Sequence, residues 1–494
     1  MSTIDSSMRE RRPFHIFTVG WEPSLIRSLT SPVSNITGIH FTHGLVGDAR
    51  RLSVVQREFP EIDFVALSKS KGEPLPNPDY EMLASLEGVG VPTIRSMVQG
   101  DRVLRSRPES ESLGYATLLA CRIRKHLDEL KPDVVLGSFD SLHAALSLAV
   151  SKSLGIPWVA MAFPAIPNNL TGFCMGVTPA TLVPIVRSND DVLRRQAEEI
   201  MRTVRSKRQQ VLAYRPPASF RQRMQQLPQY GRNFARRVVR SKDLGVDRFT
   251  YPTAMERIGD IIRRSINHLR LPTEEMLTAP PAARFVFFPL HMAPESSIDT
   301  WAPFYQNQLA LVAQLSLAVP VDLEFVVKLH FSDPDNYNGR QLRQLMKLPR
   351  LRIAHPNAPG LAFLEQATLV VAIQGTASLE AALLGKPVLL LGDSPYQHFP
   401  RTERAKRPDE FHQQIRRMLD LPPPSDEEIV EAFALYMARY MPGRINDWGR
   451  PIEEDELDKF ASCFRALRSY VENPVNRVNW YKEPPFVSGL ELKS

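Results

Sequence analysis

At 494 residues, with 43% hydrophobic and 23% charged residues, the chain is too apolar for a disordered tail and long enough for two to four domains of roughly 150 residues each. Its three cysteines, Cys121, Cys174 and Cys463, are far apart with no C-x-x-C, which excludes a disulfide framework or a cysteine zinc site and fits a reducing compartment. The formal charge of +7 is uneven: residues 201–270 hold 17 Lys/Arg against 4 Asp/Glu, a net of +13, so the remaining chain sums to about −6.

The N-terminal stretch MSTIDSSMRERRPFHIF has no apolar signal-peptide core, and no apolar run approaches the ~18 residues that span a bilayer. A soluble cytoplasmic protein, able to rest on the inner face of the cell membrane, is expected. Residues 14–19 (FHIFTV) read as a strand, followed by a turn at Gly20 and a helical run from Pro23. Residues 39–42 and 64–66 read as further strands. The clearest unit of this half is strand 134–136, helix 141–154 and strand 156–161.

A basic, mostly helical segment follows, with Tyr214, Phe220, Tyr230 and Phe234 among its arginines. It is open to two readings. One is a solvated insertion whose arginines pair locally. The other is a surface for anionic lipid headgroups or a lipid-linked molecule through residues 201–270, with Arg232, Arg236, Arg237 and Arg240 as its densest cluster. No nucleic-acid-binding module accompanies the charge, so no nucleic acid is expected. A second α/β pattern has strands at 284–290, 323–329, 351–354, 369–373 and 388–391, alternating with helical runs. The chain after 420 reads as helices and a Pro-containing tail. The expected division is therefore 1–190, 191–278, 279–420 and 421–494.

Doubly wound domains place ligands at the carboxyl ends of their strands. In the second domain those ends carry His291, Glu295 and Ser296 after the first strand, Lys328 and His330 after the next, and Gly375, Thr376 and Ser378 after 369–373. AIQGTASLEAALLGKPVLLLG, residues 372–392, is strand, turn, helix, turn, strand, and its small hydroxyl-bearing turn at a helix start suits a phosphate. Each residue also has a structural reading: Lys328 as a strand-end lysine, the histidines as edge residues, Thr376 as the N-cap. With Thr376 capping, no capping box explains Glu380, whose carboxylate one turn in can accept the hydroxyls of a ribose. In the first domain Asp140, within GSFDSLH, reads either as a general base or as the cap of the next helix, with His43 and Asp48 of FTHGLVGD as alternatives. No D-x-D follows a strand in this half and no His/Cys cluster occurs, so no metal is expected.

These blocks, in order, resemble the capsule polysaccharide biosynthesis family, the group that includes the capsule Kdo transferases. The family's P-L-H-x-x-P-E-x-S/T loop falls on 289–297, its K-x-H-P element on 328–331, and its G-T-x-x-x-E-A helix start with G-K-P-V on 375–388. The match covers about 120 residues, 284–400. The chain departs from the pattern at Phe331, which replaces a proline, at Ser-Leu-Glu before Ala381, and in lacking an E-D-G-F segment.

The resemblance implies an α/β, GT-B-like fold: two doubly wound Rossmann-type domains facing a cleft, here with a basic helical insertion. It implies a glycosyltransferase whose second domain binds a nucleotide sugar, CMP- or UDP-linked, and whose first domain presents a glycan or lipid-linked glycan acceptor, with no cofactor. Asp140, His43 and His291 are then the catalytic candidates. Glu295, Ser296, Lys328, His330, Gly375, Thr376, Ser378 and Glu380 are the nucleotide-sugar ligands. A nucleotide-sugar epimerase, a polyol-phosphate transferase and a non-catalytic polysaccharide-assembly protein remain as alternatives.

Overall fold

A computed structural model describes residues 12–21, 23–46, 49–67, 69–70, 72–139, 141–178, 180–185, 190–207, 248–445 and 452–482. Asp48, Asp140 and the arginine cluster at 232–240 lie outside the described residues.

The first half builds a mostly parallel sheet from β1 (His15–Val19), β2 (His40–Leu45), β3 (Asp63–Ala66), β4 (Val134–Gly137), β5 (Trp158–Ala162) and β6 (Leu170–Cys174). Their order is β6-β5-β4-β1-β2-β3, with only β6 antiparallel to its neighbour. The registers Phe17↔Thr42 and Phe17↔Val135 place β1 at the centre. Helices lie on both faces, so these strands are apolar along their length rather than alternating, as buried parallel strands are. Helix Glu109–Leu130 packs on helix Leu142–Ser153 over one face, burying Tyr115, Leu119 and Ile123.

The second sheet is wholly parallel: β7 (Phe285–Pro289), β8 (Glu324–Lys328), β9 (Leu351–Ala354), β10 (Leu369–Ala372), β11 (Val388–Leu390) and β12 (Thr402–Arg404). Its order, β12-β11-β10-β7-β8-β9, is the doubly wound one, with the reversal between β7 and β10. The run FVFFP shows why: Phe285 and Phe287 enter the core on one face, and Val286 and Phe288 the core on the other. The two doubly wound sheets read from the sequence are therefore present. The sequence reading does not contain β6, β12, or the short strand β13 (Met441–Pro442).

The chain then returns across the molecule. Helix Asp426–Ala438 packs on helix Asp190–Lys207, which buries Leu193, Ala197, Met201 and Val204. Arg205 of that helix donates Nε to the carbonyl of Leu383 at 3.0 Å and pairs with Asp426 at 2.6 Å. Next, β13 adds antiparallel to β6, and helix Glu454–Glu472 packs on helix Ser31–Thr37. Phe464 sits edge-on to Phe41 and Phe173 at 5.6 and 5.4 Å. The last segment of the chain thus completes the first domain. Among the described residues no helix is long and apolar enough to cross a membrane.

Candidate functional site

Each sheet reverses strand order at one point, and both points open onto one cleft of about 910 Å³. On the first-domain side the reversal lies between β1 and β4. Gly20, at φ +82°, turns the chain away after β1, and Trp21 Nε1 donates to the Gly137 carbonyl at 3.1 Å. Ser138 and Phe139 after β4, and Phe163 to Ala165 after β5, line the wall.

On the opposite side, the loop after β7 is held from behind. Gln308 accepts the His291 N–H at 2.7 Å and donates to its carbonyl at 3.1 Å, while Tyr337 Oη donates to that carbonyl at 3.2 Å. The His291 ring lies on Gly375: a Cβ added there would stand 2.8 Å from His291 Cε1. His291 Nδ1 is 3.3 Å from Ser297 Oγ and 3.6 Å from a Glu295 oxygen, and Ser297 Oγ donates to Glu295 at 2.7 Å. Burial alone would raise the Glu295 pKa, but the His291 and Ser297 contacts outweigh it, so Glu295 is held below the usual carboxylate value.

Lys328, at the end of β8, is buried and donates to the carbonyls of Pro356 at 2.9 Å and Leu329 at 3.2 Å. Burial lowers its pKa to about 8. His330 is lowered to about 4, again chiefly by burial, and is neutral at pH 7. Its Nδ1 accepts the Ser332 N–H at 3.3 Å, which leaves Nε2 as the protonated donor.

The turn after β10 differs from the capping expected. Gly375, not Thr376, is the N-cap of helix Thr376–Leu383, with φ +96° and ψ 179° and no side-chain cap. Ser378 Oγ donates back to the Gly375 carbonyl at 2.5 Å and does not line the cleft, so its hydroxyl braces the turn. Gly375 and Thr376 do line it. Gln374 donates to the Ser297 carbonyl and ties this turn to the β7 loop. The Gly375 conformation is essentially restricted to glycine and costs other residues about 1–3 kcal/mol. Gly375→Ala is accordingly expected to lower the unfolding free energy by about that amount and to displace His291. Denaturant titration checks the first effect, and a chemical-shift change of the His291 ring the second.

Glu380 lines the cleft one turn into this helix, is 3% exposed, and has its pKa raised by burial to about 7. Tyr396, Tyr436 and Tyr440, the last two from the returning segment, close the end of the cleft behind it. None of the three aromatics figures among the sequence candidates. Nor does Trp301, which lines the cleft and whose buried indole N–H has no hydrogen-bond partner among the described residues.

His43 is placed elsewhere. It sits within β2 in the first-domain core, 1% exposed, with Nδ1 2.6 Å from Thr18 Oγ1 and Nε2 3.3 Å from Thr30 Oγ1. Burial drives its pKa down to about 3, and no part of it reaches the cleft. This corrects its place among the catalytic candidates: it lies within β2, paired on both sides by β1 and β3, and not at the strand's carboxyl end. His291, Glu295, Ser296, Lys328, His330, Gly375, Thr376 and Glu380 do converge on the cleft.

The walls also touch across the cleft. Thr300 Oγ1 donates to the Phe139 carbonyl at 2.9 Å, and Trp301 meets the Phe139 ring edge-on at 5.3 Å. Asp299, 3% exposed, faces Arg105 at 3.6 Å and Arg102 at 3.9 Å. Asp101 fixes the loop bearing these arginines: its carboxylate accepts N–H groups of Val103 and Leu104, and of Leu142 at 3.1 Å on the helix after β4. Among the described residues no group of three or more His, Cys, Asp or Glu is placed to hold a metal ion.

No family model and no curated protein matches the chain. Solved structures that it resembles include the glycotransferase of kitacinnamycin, at 14% identity over 92% of this chain and 99% of that one, TM-score 0.28. They include Thermosulfurimonas dismutans KpsC, a beta Kdo 2,7 transferase, at 12% over 91% and 99%, TM-score 0.38. A UDP-GlcNAc 2-epimerase from Neisseria meningitidis, bound to UDP-GlcNAc, matches at 13% over 92% and 100%, TM-score 0.28. Resemblance this distant does not bear on the reaction.

Proposed function

We propose that the protein is a glycosyltransferase that moves a sugar from a CMP- or UDP-linked donor onto a glycan or lipid-linked glycan, in the assembly of a capsular or other cell-surface polysaccharide or glycolipid. The observation that carries this reading is the meeting of two strand-order reversals on one cleft, with Lys328, neutral His330 and the helix start at Gly375 on the same wall. A departing nucleotide phosphate gains charge as the sugar–oxygen bond breaks. Donors fixed before reaction stabilise that charge without reorganising, which is where an enzyme gains most. Lys328, the His330 Nε2–H and the first-turn amides would serve as those donors. Glu380 would accept ribose hydroxyls.

The acceptor hydroxyl would enter from the wall made by Ser138, Phe139 and the segment after β5. We assign the proton-accepting role to Asp140, next in sequence after Phe139. His291 has its ring nitrogen toward Ser297 and Glu295, and would position the donor sugar or its phosphate.

The test is a thermal-shift panel of CMP, UDP, GDP and CDP in the presence of EDTA. A ligand of the folded state at ~100 times its dissociation constant adds about 2.7 kcal/mol. CMP or UDP is expected to raise the midpoint, with EDTA making no difference. Absence of any shift would overturn the nucleotide reading, and a shift lost in EDTA and restored by Mg²⁺ would show a metal-held phosphate. Turnover of a nucleotide sugar without acceptor, releasing free sugar, would identify an epimerase instead.

A further inference from the structure

The segment joining the two domains ends in helix Ala254–Leu269, opened by a complete capping box between Thr253 and Glu256. This helix is amphipathic the wrong way round for a globular protein. At ~100° per residue, Met255, Ile258, Ile261, Ile262, Ile266 and Leu269 fall within an arc of about 140°. That arc faces solvent: Met255 is 76% exposed, Ile261 52%, Ile262 54% and Leu269 75%. The opposite, polar face holds the helix to the protein. Asn267, the one buried residue among those of the helix whose burial is described, donates to the Asp335 carbonyl at 3.0 Å. His268 Nδ1 meets the Asp335 carboxylate at 2.6 Å, and Arg264 pairs with Asp333. At the other end, Arg107 of the first domain pairs with Glu256 at 2.7 Å. Both domains therefore hold the helix, and it presents the same apolar face for the molecule as a whole.

We infer that this face docks on an anionic lipid surface, the helix lying in the plane of the interface with its isoleucines at the acyl boundary. Cations border the apolar arc, Arg257 on one edge and Arg263 and Arg270 on the other, which is the arrangement such helices use. A second copy of the protein would satisfy the apolar arc equally well, but it would bring two sets of these arginines together, and like charge opposes that contact. A negatively charged membrane complements both features. Asp333, which holds Arg264, also accepts the Ala293 N–H at 3.1 Å in the loop that lines the cleft. Docking would thus hold the mouth of the site near the bilayer. The inference rests on the exposed face and its charge, and holds whatever reaction the cleft performs.

The experiment is co-sedimentation of the full chain with phosphatidylglycerol and with phosphatidylcholine vesicles at 0.1 M and 1 M salt. The unmodified protein should bind the anionic vesicles at 0.1 M salt and release as the Debye length shrinks from ~10 Å to ~3 Å. The triple variant Ile258→Gln, Ile262→Gln, Ile266→Gln, which changes only exposed residues, should bind at least tenfold more weakly with an unchanged unfolding midpoint. Three results would overturn the inference. The unmodified protein stays in the supernatant; the triple variant binds as well as the parent; or light scattering shows a dimer that the triple substitution dissociates. The nucleotide thermal shift of the same samples reports separately on the cleft.

Discussion

Glu380→Gln is expected to make the protein more stable and a poorer binder of nucleotide at once. The carboxyl is 3% exposed, and burial is the only influence on its titration, raising its pKa from 4.5 to about 7. Below pH 4.5 it is protonated in both folded and unfolded chains and costs nothing. Between 4.5 and 7 the unfolded chain has released the proton while the folded one keeps it, so stability falls as pH rises. Above 7 the full cost applies, about 3 kcal/mol for a shift of that size. Glutamine has nearly the same shape and no charge to bury, so the midpoint of the variant should exceed the parent's at pH 8 and match it at pH 4. Binding moves the other way. Loss of a charged acceptor for a sugar hydroxyl costs about 1.5–3 kcal/mol, so the nucleotide-induced shift should shrink. Calorimetry showing undiminished affinity would sink the ribose role, and equal midpoints at pH 8 would show that the carboxyl is not strained.

Lys328→Met should have the larger effect on binding. Among the described residues the ammonium has no carboxylate partner; two carbonyls, those of Pro356 and Leu329, hold it. Its pKa is lowered by burial from 10.5 to about 8. The sign is opposite to that of Glu380: the cost of burying the charge is present below pH 8 and disappears as pH rises to 10.5, so the free protein should gain stability in that window. A phosphate bound nearby needs the charged form. Nucleotide affinity of the parent should therefore decline above pH 8, with proton uptake on binding. Methionine keeps the length of the stem but not the charge, and a charge-assisted contact of this kind is worth about 1.5–3 kcal/mol, or ~10–100-fold in affinity. Isothermal titration at pH 7 and 9, in two buffers of different ionisation enthalpy, measures both effects. Affinity that is flat across this range, and equal in the variant, would remove Lys328 from the site.

The parts of the fold legible in the sequence are those dictated by local pattern. β7 to β11 were readable to within a residue or two at either end, because strands buried on both faces are unbroken apolar runs. β6, β12 and β13 were not. β12 is Thr-Glu-Arg, β13 is Met-Pro, and β6 interrupts its apolar residues with Thr171 and Gly172. They are strands only because a neighbouring edge is present to pair with, a condition that local pattern does not carry.

The site divides along the same line. Strand ends after an apolar run are recognisable, and that places His291, Lys328, His330 and Gly375. Their chemistry depends on three-dimensional surroundings. His43 and His330 are both histidines at the level of the sequence, yet one is sealed in the core between Thr18 and Thr30 and the other faces the cleft. Thr376 looked like a cap because threonine commonly is one. The positive φ at Gly375 shifts the helix start by one residue, and only backbone geometry reveals that. Tyr436 reaches the cleft on a helix that starts at Asp426, and Tyr440 just past the end of that helix, over a path with no sequence signature.

The return of the chain to the first domain has a consequence for how the protein is made. β6 cannot gain β13 until the ribosome has added roughly 270 further residues, and Phe41 cannot meet Phe464 until it has added roughly 400. At ~5–20 residues per second that interval is on the order of 20–80 s. The second sheet, whose six strands lie between residues 285 and 404, needs no later strand to complete its pairing. The usual N-to-C order of assembly is therefore reversed here. The domain synthesised first is the one finished last, and it carries an open strand edge and an uncovered helix through most of translation.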